Sequence, residues 1–322
     1  MAVPPLVSVS IITYNHEDYI AHAIDSVLNQ QTDFAYEIII GDDYSTDKTR
    51  KIIKEYQQRY PDTISLILHP KRYAGVPGRL NNITNIYACR GTYVALLDGD
   101  DYWTDTQKLQ VQVDFMNNND AFIAVANDVK IVTHDNQATG GYYSGEHKIL
   151  QKDTSFSHEN ILQEGWCLTQ TSSLLFRNKT FREFPDWYWT IVSADYALIV
   201  LLSRYGPIKY FKKAYSAYRI HEKSFTARHF LSKKTMSLKV KELQLLRKLY
   251  LPYGLHNRPF KNIRLSKTIN QRISMFKYGY ATRIKEEGNP WAAFAYLTKA
   301  SLSDFSFVYY VDKIVQKIRR FK

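Results

Sequence analysis

Val94-Ala-Leu-Leu-Asp-Gly-Asp-Asp-Tyr-Trp103 runs four apolar residues straight into three carboxylates. The apolar part predicts a buried strand, so Asp98, Asp100 and Asp101 should stand together at its carboxyl end. Like charges this close repel one another and lose solvation, and such a cluster persists most easily around a cation. A set of oxygen ligands from one or two carboxylates suits Mg²⁺ or Mn²⁺, and Mg²⁺ held this way usually also carries substrate phosphates. A strand-ending turn with solvated charges would read the same, and the rest of the chain has to separate the two.

Working outward, Val7-Ser-Val-Ser-Ile-Ile-Thr13 has the β-branched content of a strand, and Tyr14-Asn-His-Glu-Asp18 the chemistry of a turn. Ile20, Ala23, Ile24, Val27 and Leu28 then recur at helical spacing. A second strand, Tyr36 to Ile40, enters Gly41-Asp-Asp-Tyr-Ser-Thr-Asp-Lys-Thr49, where Ser45 or Thr46 is positioned to cap a helix carrying Ile52, Ile53 and Tyr56. Thr63 to Leu68 is a third strand, the Gly/Pro-rich run 71–78 a loop, Arg79 to Arg90 a helix, and Thr92 to Leu97 the strand that delivers the acidic cluster. Alternating strands and helices with short connections mean βαβ units and a largely parallel sheet. Ligands of such sheets bind beyond the carboxyl ends of the strands. Thr13-Tyr14-Asn15, Asp42-Asp43 and Asp98 to Asp101 therefore share one rim. Further on, Asp105 to Met116 reads as a helix, Ala121 to Val132 as a strand, and His134 to His158 as a loop or hairpin. Trp166 to Arg177 reads as a strand, Ser193 to Arg204 as a helix, and Ile208 to Arg219 as a β-ribbon leading to His221.

With 322 residues the chain can bury a full core and holds one catalytic-sized domain plus an extension. Cys89 and Cys167 lie far apart without a metal-binding spacing, so neither a zinc site nor a disulfide framework is indicated, and a reducing compartment is the default. No run of about 18 apolar residues occurs and the first residues lack a signal-peptide pattern, which predicts neither secretion nor a membrane span. The net charge of +12 is uneven: residues 231–322 carry 20 Lys/Arg and 5 Asp/Glu, a balance of +15, leaving −3 for residues 1–230. A near-neutral body with a basic tail for an anionic partner is expected.

A strand ending in Thr-Tyr-Asn, a strand ending in Asp-Asp-x-Ser-x-Asp-x-Thr and a strand ending in Asp-x-Asp-Asp, in that order, closely resemble glycosyltransferase family 2, the inverting enzymes of GT-A fold. The resemblance covers about residues 6–225. It implies a Rossmann-like, mostly parallel sheet with helices on both faces over residues 1–230, followed by a basic helical extension over 231–322. It also implies a nucleotide-sugar donor, most simply a UDP-sugar, and a divalent Mg²⁺ or Mn²⁺. By that resemblance Thr13, Tyr14 and Asn15 line the nucleoside pocket, Asp43 receives the base, Arg79 reaches toward the donor and Asp98 faces the ribose. Asp42 shapes the turn. Asp100 holds the metal, with Asp101 as a second ligand or a supporting group and His221 facing the metal or the diphosphate. Asp195, at a helix start but preceded by Ala194 where the family commonly has Glu, is the expected base on the acceptor side. A helix-start carboxylate facing the helix dipole is its plainer use. Trp166, Trp187 and Trp189 could stack on an acceptor sugar or simply pack.

The acceptor implied is a saccharide or lipid-linked saccharide of surface polysaccharide synthesis, with no nucleic acid involved. The first strand is not followed by G-x-G-x-x-G, which argues against a dinucleotide-dependent oxidoreductase. The Gly-rich basic entry loop of a sugar nucleotidyltransferase is also missing. A non-catalytic nucleotide-sugar-binding scaffold is the alternative of another class, against which the complete set Asp43, Asp98, Asp100 and Asp195 argues. In the extension, Leu238, Leu245, Leu246 and Leu249 form one apolar stripe. Phe307, Tyr310, Val311, Ile314, Val315 and Ile318 form another beside Lys313, Lys317, Arg319 and Arg320. A cytoplasmic protein that docks on an anionic membrane surface through this helix is expected, unless both stripes pack on the catalytic body.

Overall fold

The computed structural model describes residues 4–222, apart from 146, 165, 166 and 192, together with 224 and 245. The strands are β1 (Val7–Thr13), β2 (Tyr36–Asp42), β3 (Ile64–Leu68), β4 (Tyr93–Asp98), β5 (Tyr102–Trp103), β6 (Ala124–Thr133), β7 (Ala138–Tyr142), β8 (Thr154–Phe156), β9 (Leu175–Arg177) and β10 (Ile208–Ile220). The helices are α1 (Ile20–Leu28), α2 (Thr49–Arg59), α3 (Arg79–Ala88), α4 (Lys108–Asn117), α5 (His158–Glu164), α6 (Asp186–Thr190) and α7 (Ala194–Leu202).

All ten strands join one sheet in the order β3-β2-β1-β4-β9-β6-β10-β5, with β7 on β6 and β8 on β10. The first four are parallel, as the βαβ pattern predicts. Beyond β4 the sheet becomes mixed, because β9 runs antiparallel to both β4 and β6 while β6 and β10 are parallel to each other. Both faces of the first strands are covered, which is why their sequences are nearly continuous apolar runs. Val7, Val9, Ile11, Ile38, Ile40, Ala95 and Leu97 meet the stripe Ile20, Ala23, Ile24 and Val27 of α1 in the core.

Gly41 explains how closely α3 approaches. A Cβ there would stand 2.1 Å from Asn81 Oδ1 and 2.3 Å from Asn85 Oδ1. Asn81 donates to the Gly41 carbonyl at 2.8 Å, and Asn85 to the carbonyls of Ile11 and Ile39 at 2.9 and 3.2 Å. Two buried amides thus satisfy backbone groups of β1 and β2 and fix the helix on the sheet.

Three local expectations are revised. Neither Ser45 nor Thr46 caps α2; Asp47 Oδ1 instead accepts the Thr49 amide at 2.9 Å, and Ser45 Oγ turns back to accept the Asn15 amide at 2.9 Å. The stretch read as a strand from Trp166 to Arg177 is a strand only at Leu175–Arg177, preceded by a 3₁₀ turn at Thr171–Ser173 in which Gln170 Oε1 accepts the Ser172 amide at 2.5 Å. A side chain that competes for backbone donors ends the extended conformation there. The ribbon expected from Ile208 is one 13-residue strand, β10, with register shifts against β6 between Phe211 and Ser216.

The chain divides into a compact unit of residues 1–158, 167–190 and 194–221 and a second of 159–166, 191–193 and 222–322. The sheet and helices α1 to α4, α6 and α7 belong to the first. Trp166 and the apolar stripes read in the extension, apart from Leu245 itself, lie outside the described residues. Among the described residues no helix is long and apolar enough to cross a membrane.

Candidate active site

The floor of the site is the turn that leaves β4. Gly99 allows β4 to end against β1: its amide donates to the Ile12 carbonyl at 2.9 Å, and a Cβ on it would come within 2.9 Å of the Thr13 side chain and 3.0 Å of His16 Nδ1. Adjacent aspartates are then used differently. Asp100 Oδ2 lies 3.0 Å from His221 Nε2 and 3.6 Å from His16 Nε2, with the carboxylate part-exposed. Burial alone would raise its pKa, but the two histidines outweigh burial and bring it down to about 2. Asp101 is buried. Its Oδ2 accepts from Gln170 Nε2 at 2.6 Å and Ser172 Oγ at 2.7 Å, and its Oδ1 accepts the Arg219 amide at 3.0 Å. Burial and the Asp100 charge push Asp101 up to about 7 against those donors. Asp98, whose amide meets Ser172 Oγ at 3.3 Å, is held well above the usual carboxylate range by burial first and then by Asp101, Asp100 and Asp195.

The other side of the rim is laced by its own loops. The Asp43 amide donates to the Thr13 carbonyl at 3.0 Å, and Asn15 Oδ1 accepts the Thr46 amide at 2.8 Å. Asn15 and Tyr44 both have positive φ, 55° and 66°. For a bulky residue such as Tyr44 that conformation is uncommon and costly. Asp42 is fully buried, bonded to the Ser45 amide at 3.0 Å and to Arg50, so it shapes the turn. Asp43, also buried, faces the site. Burial raises its pKa, opposed by Arg72, the Gly78 amide and His69. Arg72 Nε lies 3.6 Å from Asp43 Oδ2, and its guanidinium is 3.6 Å from the Tyr14 ring centroid. Arg79 is buried at the start of α3 with its guanidinium 4.3 Å over the Tyr188 ring.

Asp195 opens α7, its Oδ1 accepting the following Tyr196 amide at 2.8 Å. Its charge reaches Asp98 and the buried Cys167 thiol, which donates to the Thr169 carbonyl at 2.8 Å and whose pKa is raised by burial first and by Asp195 next. Asp195 therefore acts electrostatically on Asp98 from 97 residues along the chain. Trp189 meets Tyr73 edge-on at 6.3 Å and is half-buried; Trp187 is half-buried, 6.1 Å from Tyr188.

The described residues contain no set of three His, Cys, Asp or Glu groups arranged as a ready metal cage. What stands at the floor is one carboxylate oxygen facing two imidazoles, with Nδ1 of both His16 and His221 buried and lacking a hydrogen-bond partner. His16, Arg72, Gln170 and Ser172 were not singled out from the sequence. A polar Thr-Gln-Thr-Ser-Ser run between Leu168 and Leu174 was the available signal for the last two, since buried polar side chains need partners.

The model of Glycosyl transferase family 2 matches residues 8–181. An uncharacterized protein of Mycobacterium tuberculosis is 32% identical over 214 residues, 66% of this chain; the chain thus spans 58% of that relative's length. A UDP-Glc:alpha-D-GlcNAc-diphosphoundecaprenol beta-1,3-glucosyltransferase of Escherichia coli is 37% identical over 122 residues, 38% of this chain and 45% of that one. Among solved structures, the mannosyltransferase from Pyrobaculum calidifontis in complex with GDP-Man and Mn²⁺ superposes with a TM-score of 0.58, over 98% of this chain and 85% of that one, at 15% identity. That likeness is one of fold, and the open mixed sheet with helices on both faces is the GT-A fold. The chain belongs to glycosyltransferase family 2.

Proposed function

We propose that the catalytic domain, within residues 1–230, is an inverting, metal-dependent transferase that moves a sugar from a nucleotide-diphosphate donor, UDP-linked in the simplest case, to a hydroxyl of a saccharide or lipid-linked saccharide. The observation that supports this best is the meeting of three separate chemistries on one rim. These are a buried carboxylate for a base at Asp43, a low-pKa carboxylate flanked by imidazoles at Asp100, and a carboxylate from α7, Asp195, within electrostatic reach of Asp98. The donor of the E. coli relative is a UDP-sugar by its name, and surface polysaccharide assembly is a natural setting.

In this assignment Tyr14 offers a face to the base while Asp43 accepts a ring N–H, and Thr13 and Asn15 shape the nucleoside pocket. Asp98 faces a ribose hydroxyl. Asp100 and His221 would hold a divalent cation, with His16 beside them. Carboxylate alone suits Mg²⁺, and the imidazoles shift the preference toward Mn²⁺. When bound, such a cation offsets the charge of the departing diphosphate. Asp101 supports the turn rather than ligating, because its oxygens already accept three hydrogen bonds. Arg79, buried against Tyr188, orders the start of α3 behind the donor. Asp195 accepts the proton of the acceptor hydroxyl as that oxygen attacks the anomeric carbon from the side opposite the leaving group, which inverts the centre. The basic extension, residues 231–322, brings the enzyme to an anionic cytoplasmic membrane surface where a lipid-linked acceptor resides.

The test is Asp195→Asn, with UDP- and GDP-sugars as donors and Mn²⁺ present. Nucleotide binding should stay within about twofold while transfer and slow donor hydrolysis fall by roughly 10²–10⁴, the usual worth of a general base. Loss of binding in parallel with rate would move Asp195 into the donor site or the fold.

A further inference from the structure

Arg72, on the loop between β3 and α3, lies across the two groups assigned above to the nucleobase. Its guanidinium carbon is 3.6 Å from the Tyr14 ring centroid, which is stacking contact, and its Nε is 3.6 Å from Asp43 Oδ2. Asp43 is 3% exposed, whereas the Arg72 side chain is 44% exposed. The carboxylate thus forms the floor of a small recess, and the guanidinium covers it from solvent.

A guanidinium is flat, stacks on aromatic faces and carries its N–H donors in its own plane. A base with a ring N–H, of the uracil or guanine type, offers the same combination: a face for Tyr14 and an in-plane donor for Asp43. At 3.6 Å no base fits between Arg72 and the ring, so the two ligands of this recess exclude each other. Asp43 keeps a partner on this loop when the arginine leaves. Gly78, at φ 71°, ends it at α3, and the Gly78 amide bonds Asp43 independently of the Arg72 side chain.

We propose that Arg72 is an internal competitor for the nucleobase slot, occupying Tyr14 and Asp43 in the free protein and leaving them to a base that carries a ring N–H. The inference rests on the donor site assigned above. Apparent affinity for the base is then the intrinsic affinity scaled by the fraction of molecules in which Arg72 is away. A half-exposed cation–ring contact plus a loose ion pair amounts to a roughly 3- to 10-fold penalty. Displacement also frees a cation at the edge of a site that receives a diphosphate. Arg72 would then set which bases enter at all, since a base unable to donate to Asp43 would give up the pairing without replacing it.

The experiment uses neutral nucleosides, so that removal of a cation does not itself weaken an anion. Uridine, guanosine and cytidine are titrated by ligand-observed NMR into the full chain, into Arg72→Ala and Arg72→Met, and into Asp43→Asn; UDP and GDP are run alongside. Both Arg72 variants should bind uridine or guanosine about 3- to 10-fold more tightly than wild type, while Asp43→Asn loses the preference over cytidine. Unchanged or weaker binding in both Arg72 variants, with Asp43-dependent binding retained, would overturn the competitor role and leave the donor site standing. If neither nucleosides nor the diphosphates bind any form, or binding ignores Asp43, the donor site itself is wrong and the Arg72 role falls with it.

Discussion

Ser172→Ala should be disproportionately destabilising for the loss of one hydroxyl. Ser172 and Ser173 are adjacent and both fully buried, yet their hydroxyls meet different partners. Ser173 Oγ donates only to the neutral Gln170 carbonyl at 2.7 Å. Ser172 Oγ donates to Asp101 Oδ2 at 2.7 Å and also faces the Asp98 amide at 3.3 Å. A neutral hydrogen bond contributes about 0.5–1.5 kcal/mol net, and one to a charged group about 1.5–3 kcal/mol. Leaving the Asp98 amide without its oxygen adds a further fraction of that. Ser172→Ala should therefore cost about 2–4 kcal/mol and Ser173→Ala about 1 kcal/mol. At roughly 2–4 °C per kcal/mol for a protein of this size, a difference of about 1–3 kcal/mol should separate the two melting temperatures by roughly 2–12 °C. Differential scanning calorimetry at pH 8, where Asp101 is mainly ionised, reads the difference directly. The double variant Ser172→Ala/Asp101→Asn adds a coupling measurement, because the serine should matter less once the charge is gone. Equal losses for the two serines, or no coupling to Asp101, would refute the assignment of Asp101 as a carboxylate held by the Gln170–Ser172 turn.

Asp100→Ala should lower Mn²⁺ affinity at least tenfold, followed by paramagnetic broadening of water or nucleotide resonances, with far-ultraviolet circular dichroism unchanged; retained affinity would remove Asp100 from the metal site. His158 is buried with Nδ1 2.8 Å from Ser203 Oγ, and burial pushes its pKa down to about 4, with Arg204 adding to the effect. Its neutral form is the native one, so the unfolded chain binds the extra proton. Stability should fall as pH drops from about 6.5 to 4, by about 3 kcal/mol, and His158→Asn should flatten that limb of a urea-melt series; an unchanged acid limb argues against a neutral His158. For the extension, the full chain should sediment with anionic vesicles at low salt, and a chain ending before Phe307 should do so less. Equal pelleting by both, or by neither, rules out the terminal helix as the anchor.

The rim was legible because its parts sit where strands stop. β1, β2 and β4 are apolar runs that end in Thr-Tyr-Asn, Asp-Asp and Asp-Gly-Asp-Asp, and periodicity finds such ends within a residue or two. Side chains whose role depends on distant partners were not legible. Asp100 and Asp101 carry the same local signal, yet Asp101 meets Gln170, Ser172 and Arg219, 69 to 118 residues away, while Asp100 meets His221 at a separation of 121 and His16 from the first loop. Arg72 sits in a Gly/Pro-rich loop where no periodicity says which way a side chain turns. The Thr-Gln-Thr-Ser-Ser run reads as a strand by its neighbours, and only the side-chain capping by Gln170 makes it a turn.

The acidic cluster also shows why three adjacent carboxylates need not carry three charges. Asp100 is brought down to about 2 by its histidines, Asp101 is raised to about 7, and Asp98 is raised well above its ordinary value. The negative charge is thus favoured on Asp100 and disfavoured on Asp98 and Asp101, although Asp98 is part-exposed like Asp100 and only Asp101 is fully buried. The turn after β4 therefore separates its carboxylates into three electrostatic settings. That separation is produced by residues from the first loop, the 3₁₀ turn and the end of β10, not by the motif itself.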